Sequence, residues 1–537
     1  MPWPVTARFS VATSWLPTPS LRTYYGASAS IPRRGVQQGD PLGPLFFALA
    51  LLHPLQAMVA PFRGAYLDDI FFAAPASTIF SGLVGSLASI GLEVNPTKCE
   101  VILGSSCTDA SVMAHVLPCS CFRRHTSWEL LGAPCGDRAS VADFAARWCA
   151  AAGERLRRVT QLATHGGHTQ AMLVLLRFCV GGPAATFVLR TCGTWAGDAL
   201  SQHDAACRSA FEAAVFQVTD MEWRHLQLPA SKGGLGFRAT APFAAVAFAA
   251  ASAEARGRIS TFLSGVSPDL CDPWLSPCLA DGGFIPAIPS PIVKLQKQWS
   301  TQVVEQLATG IVFPRAQPRG LEFAWITAAV PDPDVWLIPK QPPPHTEEVR
   351  CAVSIGLGRH IAGDRCGFCG TAAAGDHVLR CMQGGWKQRA HTRLKHLAAE
   401  ALRAGGALVR LEPRPFAGSS ARPDVEAVGS SGHPHYVDVG LAAAVSAATY
   451  EQQKEQAVRS LLPPNTTFSA VVFDVFGSPG PSAAAWLRKT AGPLAAQRYV
   501  ATSVATGWLR LWFATAIGSM VAAAVATHLR FQALAAD

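Results

Sequence analysis

The first 39 residues contain neither aspartate nor glutamate, and the first acidic residue is Asp40. A metal site built from carboxylates therefore cannot lie within residues 1–39. Charged residues make up only 15% of the chain, so its net charge of +9 cannot form a densely cationic surface. The positive excess fits a nucleic-acid partner, and an ordinary basic protein is the alternative.

The chain also lacks the marks of a secreted or repetitive protein. Its start, Met-Pro-Trp-Pro-Val-Thr-Ala-Arg, has no continuous apolar signal core, and no repeat of solenoid period is present. The 15 cysteines are an odd number scattered over 537 residues, unlike a small disulfide framework. We predict a reducing compartment, nuclear or cytoplasmic, and several domains with real cores, given the 49% hydrophobic content.

Two adjacent carboxylates, Asp68 and Asp69, stand at the centre of the apolar, β-prone run 65–72. Burying such a pair requires a cation such as Mg²⁺, which is how phosphoryl-transfer sites use paired carboxylates. Upstream, residues 35–44 are rich in Gly and Pro and lead into an apolar helix from Leu45. An ordinary polar turn is the alternative for the Asp pair.

These two blocks together resemble the palm of a reverse transcriptase. Residues 91–100 and 131–134 resemble, in the same order, the lysine-bearing and primer-grip segments of non-LTR retrotransposon polymerases. Residues 35–44 contain the pair Gln38-Gly39 and are called the Gln-Gly block. The resemblance also implies an Asp on a strand before this block, and the sequence has none there. We therefore predict a truncated palm that cannot polymerise alone, unless a partner chain supplies the missing strand. The resemblance implies catalytic roles for Asp68 and Asp69, and nucleotide or template contacts for Gln38, Gly39 and Lys98.

A second cluster has the spacing of a zinc site. Cys366, Cys369, His377 and Cys381 form the pattern C-x2-C-x7-H-x3-C, whose thiolates and imidazole suit tetrahedral Zn²⁺. The alternative is a chance cluster of buried cysteines. Arginine and lysine residues surround the segment, so a zinc knuckle here would present cations to phosphate.

Further along, the pattern predicts helix, strand, strand, strand and helix between residues 400 and 454. Asp424 begins one β-prone segment and Asp438 lies within the next, so in a hairpin both carboxylates could reach one divalent ion. A nearby lysine could then orient the attacking water and stabilise charge on the phosphate. Solvated strand-end carboxylates are the alternative.

This pattern resembles the restriction-enzyme-like endonuclease of certain non-LTR retrotransposons, a PD-(D/E)XK relative. Where the ordinary motif has its lysine, two residues after the second acid, this chain has Gly440. The resemblance implies that Lys454 on the following helix takes that role and that Glu412 is an accessory acid. The alternative is that both residues are ordinary surface side chains.

The whole chain is thus predicted to be a multidomain α/β protein with a partial α+β polymerase palm, a helical thumb, a zinc knuckle and a C-terminal α/β restriction-endonuclease-like core. The uncharged run 511–529 favours a buried terminal helix over a membrane span. The predicted segments are 1–34 (leader), 35–150 (palm), 151–264 (thumb), 265–345 (Pro-rich connector), 346–390 (knuckle), 391–500 (endonuclease) and 501–537 (C-terminal apolar helix).

We expect a fragment of a retrotransposon protein whose endonuclease half is the more complete. Its predicted cofactors are Mg²⁺ (or Mn²⁺) and Zn²⁺, and its predicted partners are target DNA and element RNA, with no membrane. The rival hypotheses are a catalytically dead nucleic-acid-binding remnant and a membrane-anchored protein.

Overall fold

The computed structural model forms two compact units, residues 1–140 and 141–537. The fold is mostly helical with small mixed sheets, which agrees with the predicted multidomain α/β class. The structure describes residues 5–12, 42–57, 62–66, 69–73, 80–94, 100–103, 128–229, 232, 234–262, 295–309, 346–357, 366, 369, 381, 383, 385–416, 422–442, 446–475 and 477–536.

The N-terminal unit is organised around a five-stranded sheet in the order β2-β3-β1-β4, with β5 also paired to β1. β1 runs antiparallel to β3, β4 and β5, and β2 and β3 form a hairpin. The sheet unit is β1 (Val5–Ala12), α1 (Gly43–Ala57), β2 (Phe62–Tyr66), β3 (Asp69–Ala73), α2 (Phe80–Ser89), β4 (Glu93–Val94) and β5 (Glu100–Leu103).

β1 lies within the segment 1–34, which the sequence predicts as a leader. Residues 5–12 form the strand between β3 and β5. A strand before the Gln-Gly block is therefore present, although it carries no acid. Ser10 is the residue of β1 in register with Asp69.

The segment predicted to resemble a primer grip is a short hairpin. Its strands, β6 (Trp128–Leu130) and β7 (Ala133–Cys135), pair antiparallel across Leu131 and Gly132. Both turn residues have positive φ, 51° and 77°, as a two-residue turn matching the strand twist requires.

The C-terminal unit begins with a helical region. The predicted boundary at residue 150 falls inside its first helix, α3 (Arg138–Thr164), and the predicted connector 265–345 contains a further helix, α9 (Leu295–Ala308). Trp299 and Val303 of α9 pack in one apolar cluster with the preceding helix. The helices between them are α4 (Thr169–Leu175), α5 (Thr186–Cys192), α6 (Gly197–Ala214), α7 (Asp220–Gln227) and α8 (Ala244–Phe262).

The rest of the unit is a four-stranded sheet with helices packed on it. Its order is β11-β10-β9-β8, with β10 and β11 parallel and the other pairs antiparallel. The predicted order of helix, three strands and helix is confirmed, and β11 was not predicted. The elements are α10 (Thr346–Gly356), α11 (Trp386–Ala404), β8 (Leu408–Leu411), β9 (Val425–Val428), β10 (Pro434–Ala442), α12 (Ala447–Arg459), β11 (Thr467–Asp474), α13 (Pro481–Arg498) and α14 (Thr502–Ala536).

The C-terminal apolar run packs inside the protein, as predicted. Trp512, Phe513 and Ile517 of α14 are buried in the core that the sheet shares with α11 and α13, and the Phe513 ring stacks on Phe473 at 4.9 Å. By length and composition, two stretches could cross a membrane, 169–214 and 502–527. The first is divided among several helices, and 67% of the most apolar part of the second is buried inside the protein.

Candidate functional site

The four-stranded sheet brings the two predicted acids of its first hairpin together. Asp424 directly precedes β9, and Asp438 lies in the middle of β10, which pairs antiparallel with β9 from Val425↔Val437 onward. One oxygen of each carboxylate and a ring nitrogen of His391 lie within 4.8 Å of one another. Among the described residues, these three side chains form the group at this sheet that could hold a divalent cation.

Asp424 is held tightly. Its Oδ2 accepts a hydrogen bond of 2.8 Å from the Val439 amide and lies 3.2 Å from His391 Nε2. Burial raises the pKa of this carboxyl, but hydrogen bonds with His391 and Asp438 outweigh burial, so the pKa is lowered overall. Asp424 is therefore an ionised carboxylate at neutral pH.

Asp438 has the opposite shift. Burial and the neighbouring Asp424 raise its pKa to about 6, although Lys454 favours the charged form. Lys454 Nζ donates to Asp438 Oδ1 at 2.8 Å. Two close carboxylates with pKa values pushed apart are the electrostatic condition in which a divalent cation replaces a shared proton.

Gly440 leaves room for the Lys454 side chain. It lies two residues after Asp438 on β10, where the ordinary motif has its lysine. A Cβ at this position would come within 3.1 Å of Lys454 Cε and 3.0 Å of Tyr450 Cε1. The space above Gly440 is thus occupied by the stem of Lys454, which reaches from α12 to the same carboxylate.

Glu412 lies beside this group but is neutralised. Its carboxylate forms an ion pair with the buried Lys395 of α11, and Arg422 lies 3.8 Å away. Its amide donates to the Asp424 carbonyl at 2.8 Å, and its backbone has φ of 48°. The structure therefore places the predicted accessory acid next to Asp424 with its charge already compensated.

His391 and Lys395 were not predicted as site residues. They lie four residues apart on α11, so both face the sheet edge that carries Asp424 and Glu412. The available signal was a His and a Lys at helical spacing just before the predicted strands. Spacing alone cannot show which face of a helix docks onto a sheet, because that depends on packing between distant segments.

The described part of the predicted zinc site is compact. The sulfur atoms of Cys366, Cys369 and Cys381 lie within 4.8 Å of one another, and Cys366 and Cys381 are buried. Burial, together with the neighbouring thiols, raises the pKa of Cys381. Three thiols this close fit a soft cation, which favours their ionised forms. His377 lies outside the described residues.

The predicted polymerase residues are described only in part. Asp69 is the first residue of β3 and lies in register with Ser10 of β1 and Tyr66 of β2. The structure does not describe the other members of that set, which are Gln38, Gly39, Asp68 and Lys98.

Comparison of the chain with protein-family models and with curated proteins gave no match. The functional assignment therefore depends on the residues and their geometry.

Proposed function

We propose that the chain is a metal-dependent DNA endonuclease, and that it is a fragment of a protein similar to those of non-LTR retrotransposons. The observation that carries this proposal is the group formed by Asp424, Asp438 and Lys454. It joins two close carboxylates of unequal pKa to a lysine ammonium 2.8 Å from one of them. Perturbed, clustered titratable groups of this kind are characteristic of catalytic sites.

Each residue has a role that follows from its contacts. Asp424 and Asp438 would hold Mg²⁺ or Mn²⁺, which supplies a lowered water pKa and polarisation of the phosphodiester. The Val439 amide fixes the orientation of Asp424. The Lys454 ammonium would stabilise negative charge that develops on the phosphate, because it is only 14% exposed and thus poorly screened.

The rest of the chain would bind and position nucleic acid. We propose that Cys366, Cys369 and Cys381, with His377, hold one Zn²⁺ and form a knuckle that contacts phosphate. The helical region 141–262 would act as a thumb on element RNA or target DNA, in the nucleus or cytoplasm. We propose that the N-terminal sheet is a palm without polymerase activity of its own; a partner strand would have to displace β1, which already lies beside β3.

Nicking of supercoiled plasmid tests the endonuclease. Wild type should nick in Mg²⁺ or Mn²⁺, whereas Asp424→Ala and Asp438→Ala should lose activity by orders of magnitude at matched DNA occupancy, because each removes a metal ligand. DNA binding should change little, since phosphate contacts from Lys and Arg set it. Glu400→Gln, a carboxyl change on α11 away from the site, is the matched control and should cut normally.

Two results would contradict the proposed endonuclease site. If wild type binds DNA but cuts no target in any of several divalent metals, the chain is a nucleic-acid-binding remnant. Cutting that survives both Asp substitutions would place the nuclease elsewhere in the chain.

A further inference from the structure

Among the described residues, His391 is the imidazole that forms a possible metal-binding group with the paired carboxylates. Its Nε2 lies 3.2 Å from Asp424 Oδ2, and its ring nitrogen is within 4.8 Å of ligand oxygens from both Asp424 and Asp438. The His391 side chain is 33% exposed while that of Asp424 is 10% exposed. The imidazole is therefore more exposed to solvent than the carboxylate beside it.

The position of this imidazole is fixed by packing. α11 buries Leu394, Leu397 and Ala398 in the core under the sheet, so the helix cannot easily rotate. One turn after His391, Lys395 forms an ion pair with Glu412, whose amide is hydrogen-bonded to the carbonyl of Asp424. The helix face that carries His391 is thus tied to the strand end that carries Asp424, which preorganises the donor.

The donor set has a consequence for metal choice. Mg²⁺ prefers oxygen ligands and keeps several waters, whereas imidazole nitrogen favours transition metals. One imidazole with two carboxylates is therefore a better site for Mn²⁺ than two carboxylates alone. The contribution of the nitrogen to Mg²⁺ binding should be small.

We propose that His391 is a third protein ligand of the divalent ion held by Asp424 and Asp438, and that it biases this site toward Mn²⁺ over Mg²⁺. This inference rests on the proposed endonuclease metal site and adds a ligand and a selectivity to it. The competing role for His391 is a hydrogen bond that only orients Asp424, which would support binding of both metals equally.

Direct metal binding to the full-length, zinc-loaded chain separates these roles. Calorimetric titration gives the affinity for Mn²⁺ and Mg²⁺, and pulsed electron paramagnetic resonance of bound Mn²⁺ detects coupling to a ligating ¹⁴N nucleus. In wild type we expect such a coupling. In His391→Ala it should disappear, and Mn²⁺ affinity should fall by more than about tenfold, since loss of even an outer-shell partner typically costs that much. Mg²⁺ affinity should fall by a smaller factor.

Two further variants make the result interpretable. His396→Ala removes an exposed histidine from the same helix and should leave both the affinity and the ¹⁴N coupling unchanged. His391→Asn keeps a polar side chain that can hydrogen-bond to Asp424 but has no imidazole nitrogen, so it should also lose the coupling and the Mn²⁺ preference. It covers the case in which His391→Ala does not fold.

The outcomes distinguish the inference from the proposal beneath it. If Mn²⁺ binding depends on Asp438 but His391→Asn lowers Mn²⁺ and Mg²⁺ affinity by the same factor, or leaves the coupling intact, the third-ligand role is wrong and the metal site stands. If Asp438→Ala leaves Mn²⁺ binding unchanged, the metal site itself is misplaced and the inference fails with it.

Discussion

At the scale of single residues, Lys454 is the side chain whose role can be isolated most cleanly. Its ammonium donates a hydrogen bond to Asp438 and has no lone pair with which to bind a metal. Replacing it with methionine keeps the aliphatic stem above Gly440 and removes only the charge. Lys454→Met should lower the nicking rate by about 100-fold or more, the typical cost of a lost transition-state donor. Metal affinity should be unchanged or higher, because a neighbouring positive charge is gone.

The control for this change is Lys489→Met, which removes an exposed lysine from α13. It should nick at the wild-type rate. Normal nicking by Lys454→Met would show that Lys454 only pairs with Asp438 in the resting protein, while the endonuclease itself would stand.

A second residue, His435 on β10, should make the stability of the protein depend on pH. Burial, with a contribution from Lys489, lowers its pKa from 6.5 to about 4. The unfolded chain then binds more protons than the folded chain between pH 6.5 and 4. Stability is fully present above pH 6.5 and falls as the pH drops through this window, by up to about 3 kcal/mol for a shift of this size.

Urea unfolding between pH 4 and 7.5 measures this effect as a difference between wild type and His435→Gln. The variant lacks the titrating group, so its stability should fall less steeply with acid. Parallel pH profiles for the two proteins would mean that His435 is not buried in its neutral form.

At the scale of elements, Glu451 joins the helix that carries Lys454 to the next helix. Only 3% exposed, it accepts hydrogen bonds from the amides of Ser482 and Ala483 at the start of α13, at 2.9 and 2.8 Å. Glu451→Gln removes the charge that favours this helix N-terminus and leaves one oxygen for two amides. We expect a loss of about 1–3 kcal/mol in unfolding free energy.

Glu455→Gln, one turn along α12, is the matched control. Its free energy of unfolding should change by no more than about 0.5 kcal/mol, because this acid makes no comparable buried contact in the described structure. An equal, small effect from both variants would show that Glu451 does not anchor α13.

The cysteine cluster makes a prediction about metal content. We expect one zinc per chain, and Cys369→Ser should lose it together with local folding, because the free energy of zinc binding contributes to folding at such sites. Metal analysis of the purified variants is the measurement. Cys179→Ser, which changes an exposed cysteine of the helical region, should keep its zinc. Equal zinc in Cys369→Ser and wild type would rule out Cys369 as a ligand.

The elements also show what local sequence could and could not predict. β9 and β10 were predictable because each is a short β-prone run. Asp424 directly precedes the first run and Asp438 lies within the second, which made both acids candidate metal ligands. His391 was not, because its relevance depends on α11 docking across the sheet. β1 was missed for a similar reason, since its place is set by pairing with β3 and β5, which are distant along the chain.

At the scale of the whole molecule, the helical region and the four-stranded sheet belong to one compact unit. Val349 and Val353 of α10 share a cluster with Phe211 of the helical region and with Ala522 of α14. α14 also buries Trp512 and neighbouring side chains against the sheet core. The terminal apolar helix therefore links two regions that the sequence predicted as separate domains. A surface that binds nucleic acid on the helices would be held in a fixed position relative to Asp424 and Asp438.

The sheet of the N-terminal unit bears on whether the chain can extend a primer on a template. Its sheet places β1 beside the strand that begins with Asp69, yet β1 contains no acid and has Ser10 in register with that residue. The resemblance to a polymerase palm implies a further carboxylate on such a strand to hold two metal ions. We therefore expect no Mg²⁺-dependent primer extension on RNA or DNA templates by the purified chain. Plasmid nicking by the same preparation would show that the protein is folded. Robust extension that is abolished by Asp69→Ala but unaffected by Asp424→Ala would contradict this, and would require a metal ligand from a part of the chain other than β1.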